Sequence, residues 1–272
     1  KTELRIFSEG NTSNSNPLFN MGTHNGGADG SLDFYLRQSG WDTFGHAYSE
    51  QQPFDSTWHH IALVQSDGAR TFYVDGVADA LEIPDKPEGD WLVNNTSIGG
   101  ILRAAASHWV TGLIDDVAIW NRALTESELG ELSSSALGDL LGGQEADPVA
   151  EGLVAHWPLD VIQGTKTPDK VNGYDMELTN LSESDVVAGK VGNAFSFSNE
   201  RQTLLSRVHE ADEDLPANKH ESYTLSMWVN VVGEGQNDLR IFSEGNTSNS
   251  NPLFNMGTHN GGADGSLDFY LR

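Results

Sequence analysis

Residues 4–37 and residues 239–272 are the same 34 letters, LRIFSEGNTSNSNPLFNMGTHNGGADGSLDFYLR, set 235 positions apart. Chance does not produce such an identity. The residues just before each copy differ, Lys1-Thr2-Glu3 against Gln236-Asn237-Asp238, so the copies read as parts of two neighbouring, slightly divergent units. Solenoid repeats recur every ~20–50 residues. A period of 235 suits instead a whole domain recurring in an array.

The chain therefore begins inside one copy and ends inside the next, with one complete set of parts in permuted order. Residues 1–132 read as the C-terminal portion of one unit, 133–149 as a linker rich in small and acidic residues, and 150–272 as the N-terminal portion of the next unit. Residue 1 is Lys rather than Met, which reads as a chain processed or cut from something longer. Alone, residues 150–272 would be half a domain with open strand edges. Three outcomes stay open. The two portions close on each other within one chain, each chain is completed by the next in a head-to-tail filament, or the sequence is a window on consecutive closed domains.

Local pattern predicts an all-β chain. Trp58 to Val64 alternates with period two, Asp67-Gly68 reads as a tight turn, and Arg70 to Val74 returns as the hairpin partner before a second turn at Asp75-Gly76. Leu113–Trp120 and Leu32–Arg37 read as strands, and Tyr223, Leu225, Met227 and Val229 share one face of another. Only Leu124 to Leu132 reads as helix, with Thr125 as N-cap and Glu128 completing a capping box. The expected fold is an antiparallel two-sheet β-sandwich of jelly-roll type with one short helix near residues 125–132. The 29 Gly suit its turns, and 11 Phe, 7 Trp and 6 Tyr suffice for its core.

Several segments resemble the laminin-G-like, concanavalin A-like jelly-roll superfamily. They are WHHIALVQSDGARTFYVDG (58–76), GLIDDVAIWNRALTESEL (112–129), GLVAHWPLD (152–160), VAGKVGNAFSFS (187–198) and YTLSMWVN (223–230). The matches span nearly the whole chain in permuted order. They imply the fold but not the function, because lectins, adhesion modules and glycan-cleaving enzymes share it. The resemblance also implies a structural calcium near the domain termini, at Asp116 and Asp160.

Calcium needs several oxygen ligands on flexible loops. Asp169, Asn172 and Asp175 cluster in TPDKVNGYDM and join Asp116 and Asp160 as the expected Ca²⁺ ligands, although Asn172-Gly173 is equally ordinary turn chemistry. Glycosidases of this fold set carboxylates on alternate residues of one strand. Glu183 and Asp185 have that spacing but stop there, Glu210 to Asp214 reads as a loop, and Asp115 and Asp116 face opposite sides. The chain is accordingly not expected to be an enzyme. His59 and His60 also face opposite sides and are expected to pack and hydrogen-bond rather than share a metal. Residues 9–30 read as a long amide-rich loop suited to sugar hydroxyls or a subunit contact, followed by Trp41, Phe44 and Tyr48 as stacking surfaces for a carbohydrate ligand.

A net charge of −25 repels nucleic acid and anionic membranes, and no apolar run is long enough to span a bilayer. With no Cys there is neither a disulfide framework nor a thiolate site. The sequence leads to an extracellular or cell-surface structural repeat whose partners are copies of itself. The alternative is a glycan-binding module acting through multivalent repeats on a polysaccharide.

Overall fold

The computed structural model describes residues 49–80, 93–142, 147–232, 236, 238–248, 253–260 and 265–271, and as backbone the strands Leu4–Gly10, Leu18–His24, Leu32–Arg37 and Phe44–Ala47. These residues form a β-sandwich of two sheets. In the smaller sheet the hydrogen-bonded order is Val186–Ala188, Asn193–Phe197, Gly112–Trp120, Tyr223–Val231, His59–Ser66, Ala69–Val74, Val77–Ala78, with Leu153–Trp157 also paired to Gly112–Trp120. Every pairing in it is antiparallel. The larger sheet runs Lys166–Thr167, Met176–Thr179, Leu204–Val208, Asn95–Ile98, Asp238–Gly245 and then through the strands of both duplicated blocks to Phe44–Ala47. Its two parallel pairings both join one copy of the block to the other.

Both sheets mix strands from the two ends of the sequence. Tyr223–Val231 lies between His59–Ser66 and Gly112–Trp120, and Asp238–Gly245 lies beside Asn95–Ile98. Strands from either side of residue 133 thus pair with one another in both sheets.

The local signals act as expected. Asp67 and Gly68 (φ 49° and 91°), and Asp75 and Gly76 (φ 50° and 77°), take the left-handed pairs that tight hairpins need. A Cβ at Gly76 would also lie 2.9 Å from Ser133 Oγ and 3.0 Å from the Gly130 Cα, so this turn is packed against the helix Glu126–Leu132. Thr125 caps that helix and Glu128 completes the capping box. Ile61, Leu63, Leu225, Met227 and Val229 alternate into the core between the sheets and meet Phe242 and Met256 from the second copy of the block. Each such side chain contributes about 1.5–3 kcal/mol by leaving water.

A second apolar cluster was not expected. Ala62, Val64, Ala118 and Trp120 point to the other face of the smaller sheet and are covered by Leu129, Leu132, Leu137 and Val149. The segment expected to be only a linker thus carries a short helix, Leu137–Leu141, and a 3₁₀ turn, Pro148–Ala150. Trp120 Nε1 donates to the Val149 carbonyl at 2.7 Å, and Arg122 donates to the carbonyls of Pro148 and Glu151. Few apolar residues in a Gly- and Ser-rich stretch hide this strap from sequence pattern, because the sheet beneath supplies most of the apolar surface.

Candidate functional site

Asp115 and Asp116 stand where the strand Gly112–Trp120 changes partner. Ile114 pairs with Phe195, whereas Val117 pairs with Trp157. On the opposite edge the register with Tyr223–Val231 slips between Ser226 and Trp228, and Asp116 has φ 52°. This is a β-bulge, which re-aims side chains that plain alternation would place.

Asp116 is buried. Its Oδ1 lies 2.5 Å from His156 Nε2, and its Oδ2 accepts from the Leu137 amide at 3.3 Å. The His156 amide donates in turn to Asp169 Oδ1 at 2.7 Å. Asp169 also accepts from the amides of Val171, Asn172 and Tyr174, and its own amide donates to Asp175 Oδ1. The Asn172 side chain donates to the Val154 carbonyl at 2.8 Å. Four of the five expected calcium ligands therefore belong to one hydrogen-bonded network around the strand Leu153–Trp157. Asp169 takes four amide donors on its two oxygens, which fills its lone pairs with turn chemistry and does not fit an ion.

Asp115 points elsewhere. Its Oδ2 accepts from the amides of Lys190 and Val191, both at 2.8 Å, while its Oδ1 is buried without a partner. Burial pushes this carboxyl up to about 7, with Asp116 and Asp160 adding repulsion against the lowering effect of the two amides. Asp160, the fifth expected ligand, grips the same turn: its Oδ1 accepts from the Asn193 amide at 2.7 Å, and its carbonyl accepts from the Asn193 side chain. The Lys190 ammonium lies 4.6 Å from the Trp228 ring centroid, a cation–π contact that holds the turn from outside. An orphaned buried carboxylate oxygen beside a second carboxylate fits a hard cation. Among the described residues, no three His, Asp or Glu side chains form a metal-ligating cluster, so main-chain, amide or water oxygens would have to complete the shell.

Sequence reasoning passed over Asp115 and His156. Adjacent aspartates look interchangeable in a sequence, and only the bulge decides which one faces the 189–193 turn. His156 in GLVAHWPLD carried no spacing signal.

Of the expected sugar-contacting residues, Trp41 and Tyr48 lie outside the described residues. Phe44 opens the strand Phe44–Ala47 and pairs with Leu36, and its side chain also lies outside them. The expected long loop at 9–30 instead contains the strand Leu18–His24, whose pattern Leu-Phe-Asn-Met is compatible with a sheet.

His59 joins a three-residue relay. Its Nδ1 lies 2.7 Å from Asp75 Oδ2, and its Nε2 lies 3.0 Å from Thr57 Oγ1. The order carboxylate, imidazole, hydroxyl is that of an activated nucleophile, but the hydroxyl proton is already committed elsewhere. Thr57 Oγ1 donates to Asp55 at 2.7 Å, and the hydrogen bond to Asp75 is the largest influence raising the imidazole pKa. His60 faces the other way, donates or accepts at Ser226 Oγ (2.8 Å) and packs edge-on to Trp228; burial drives its pKa down to about 4. Of the two carboxylates with glycosidase-like spacing, Asp185 is paired to Arg201, and in the charged run expected to be a loop Glu213 is paired to Arg207.

The duplicated blocks meet in the larger sheet. Within the second copy, Ser243 pairs with Asn255 and Glu244 with Phe254. In the first copy the equivalent Ser8 and Glu9 pair with Asn20 and Phe19.

No curated protein and no solved structure matches the chain. A family model does match residues 1–130, that of the concanavalin A-like lectin/glucanases superfamily. The two-sheet jelly roll agrees with that match, and residues 1–130 are similar to the concanavalin A-like lectin/glucanases superfamily.

Proposed function

We propose that this chain is a structural and adhesive repeat of an extracellular or cell-surface array, in which jelly-roll units follow one another end to end and together form a fibre. The observation that carries the reading is the duplicated block, recurring at a domain-length period with both copies in strand positions of one sheet. On this reading residues 1–132 and 150–272 derive from successive units, and the strap at 133–149 is their joint. Stiff sandwiches in series transmit length and force, and the acidic surface keeps them from collapsing on nucleic acid or on each other. No helix among the described residues is long and apolar enough to cross a membrane. Negative-stain electron microscopy tests the reading: beaded, elongated particles are expected, and isolated compact particles in material from the natural source would refute it.

A second reading has support from the family itself, which includes lectins. On it, Trp41, Phe44 and Tyr48 stack on a polysaccharide and repetition raises avidity. Saturable binding on a glycan array, lost on Trp41→Ala or Tyr48→Ala, is the expected result, and a flat array removes this reading.

We further propose that Asp115 and Asp160 hold a structural Ca²⁺, the expected ion shifted from Asp116 to its neighbour. The unpartnered Asp115 oxygen supports this. The ion would neutralise two carboxylates and lock the 189–193 turn to the sheet. Calorimetry at low salt is expected to show a melting temperature raised by Ca²⁺, lowered by EDTA, and insensitive to both in Asp115→Asn. An unchanged melting temperature in the unsubstituted protein overturns the site.

A further inference from the structure

One end of the sandwich holds a hydrogen-bonded row of a carboxyl, a hydroxyl and an imidazole. Thr96 lies on the strand Asn95–Ile98, and Glu244 faces it from Asp238–Gly245. Both residues are 0% exposed. Thr96 Oγ1 donates to Glu244 Oε1 at 2.6 Å, and His209 Nε2 lies 2.8 Å from the same hydroxyl. The Ala217 amide donates to both Glu244 oxygens, each at 3.1 Å. His209 follows directly on Leu204–Val208, which pairs with Asn95–Ile98 on its other side. The His209 amide is tied to the Asn94 carbonyl at 2.7 Å, and its Nδ1 is buried without a partner.

Glu244 stands two residues from the core residue Phe242 and so on the core-facing side of its strand. Its described partners, one hydroxyl and one amide, are both neutral. A carboxylate buried without a counter-charge is costly, and burial favours the neutral acid. Burial first, then the charges of Arg207 and Lys219, drive the His209 pKa down to about 3, so the imidazole is neutral and can take a proton. An alcohol against a carboxyl, a neutral base on the alcohol and a donor on the carboxyl oxygens are the parts that ester formation needs. Water, which would reverse the reaction, is excluded from both reacting residues.

We propose that Thr96 and Glu244 join as an internal ester, a covalent lock between the strands Asn95–Ile98 and Asp238–Gly245. Thr96 Oγ1 attacks the carboxyl carbon of neutral Glu244, and its proton passes to His209 Nε2. The negative oxygen of the tetrahedral intermediate is held by the Ala217 amide. The intermediate collapses as His209 returns the proton to the departing hydroxyl, which leaves as water. Acid and alcohol thus give ester and one water, with no oxidant, metal or co-reactant. Groups held in contact react as if at a concentration on the order of 10⁵ M or more, far above that of water. An imidazole of such low pKa is a weak base, so the bond forms slowly, in the folded protein. The lock is independent of whether units assemble end to end.

Intact-mass spectrometry of the whole purified chain, followed over days after folding and denatured in acid before each measurement, tests the lock. The expected mass falls short of the sequence mass by one water, in a share of molecules that grows with time. Protease digestion is expected to release the peptide containing Thr96 joined to the peptide containing Glu244. Thr96→Val should abolish both signals, and Thr96→Ser, which restores a hydroxyl, should restore them. Cooperatively melting, unsubstituted protein that keeps the full sequence mass and yields no joined peptide overturns the proposal. A deficit of one water that persists in Thr96→Val belongs to a residue cyclised elsewhere and overturns it equally.

Discussion

Ser243 lies opposite Asn255 in the hairpin of the second block, as Ser8 lies opposite Asn20 in that of the first. Two serines separated by most of the chain thus face equivalent partners in one register. In a sheet whose neighbours are fixed by side-chain period, a shift of a single residue would turn every side chain to the wrong face, so this coincidence of register is a strong constraint. It makes the duplicated block a matter of structure as well as of sequence.

The strap over the smaller sheet should carry measurable stability. Trp120→Phe keeps most of the buried ring but removes the donor to the Val149 carbonyl. A buried acceptor left unpaired costs about 1–3 kcal/mol. Urea unfolding should show that loss, and limited proteolysis should cut the variant within residues 133–149 faster than the unsubstituted protein. Equal stability and equal cleavage would mean that the strap is not docked.

Within the main core, Met227→Ala should cost ~2–5 kcal/mol, because Met227 is fully buried between the sheets. The same substitution at exposed Val77 should cost much less. Comparable denaturation midpoints for the two variants would contradict the assigned faces.

The helix cap should make stability fall in acid. The Arg122 guanidinium holds the Glu128 carboxyl down to about 2, against an ordinary 4.5, with the Thr125 amide and hydroxyl helping. A depressed folded pKa gives stability that is present above about pH 4.5 and is lost as pH falls toward 2. The stability gap between the unsubstituted protein and Glu128→Gln should therefore narrow over that interval. A gap that stays constant contradicts the assignment.

His59 should act in the opposite direction. Asp75, with help from Asp55, raises its pKa above the ordinary 6.5. A raised folded pKa gives stability that is complete below about pH 6.5 and disappears as pH rises through the folded value. Thermal melts of the unsubstituted protein and His59→Gln should converge on the alkaline side. An NMR titration giving an ordinary or lowered value for His59 would contradict the clamp.

The extent to which the sequence revealed this structure differs from place to place. The hairpin at Asp67-Gly68 was legible because only a left-handed pair closes so short a turn, and the Thr125–Glu128 cap was legible because its two hydrogen bonds are local. The alternation of Tyr223, Leu225, Met227 and Val229 announced the core face. The helix Leu137–Leu141 was not legible, since it depends on the apolar face of a sheet formed by distant strands. For the proposed cation site, Asp160 was already a candidate in the sequence, whereas proposing Asp115 in place of Asp116 rests on a bulge set by three strands meeting at Gly112–Trp120. Asp169, Asn172 and Asp175 are neighbours in the sequence, while the capture of Asp169 and Asp175 by backbone amides depends on how the turn folds.

Sedimentation velocity over a wide range of protein concentration tests the central claim of self-assembly most directly. The duplicated block predicts elongated species that grow at the expense of the monomer as concentration rises. A single compact monomer at every concentration would contradict it.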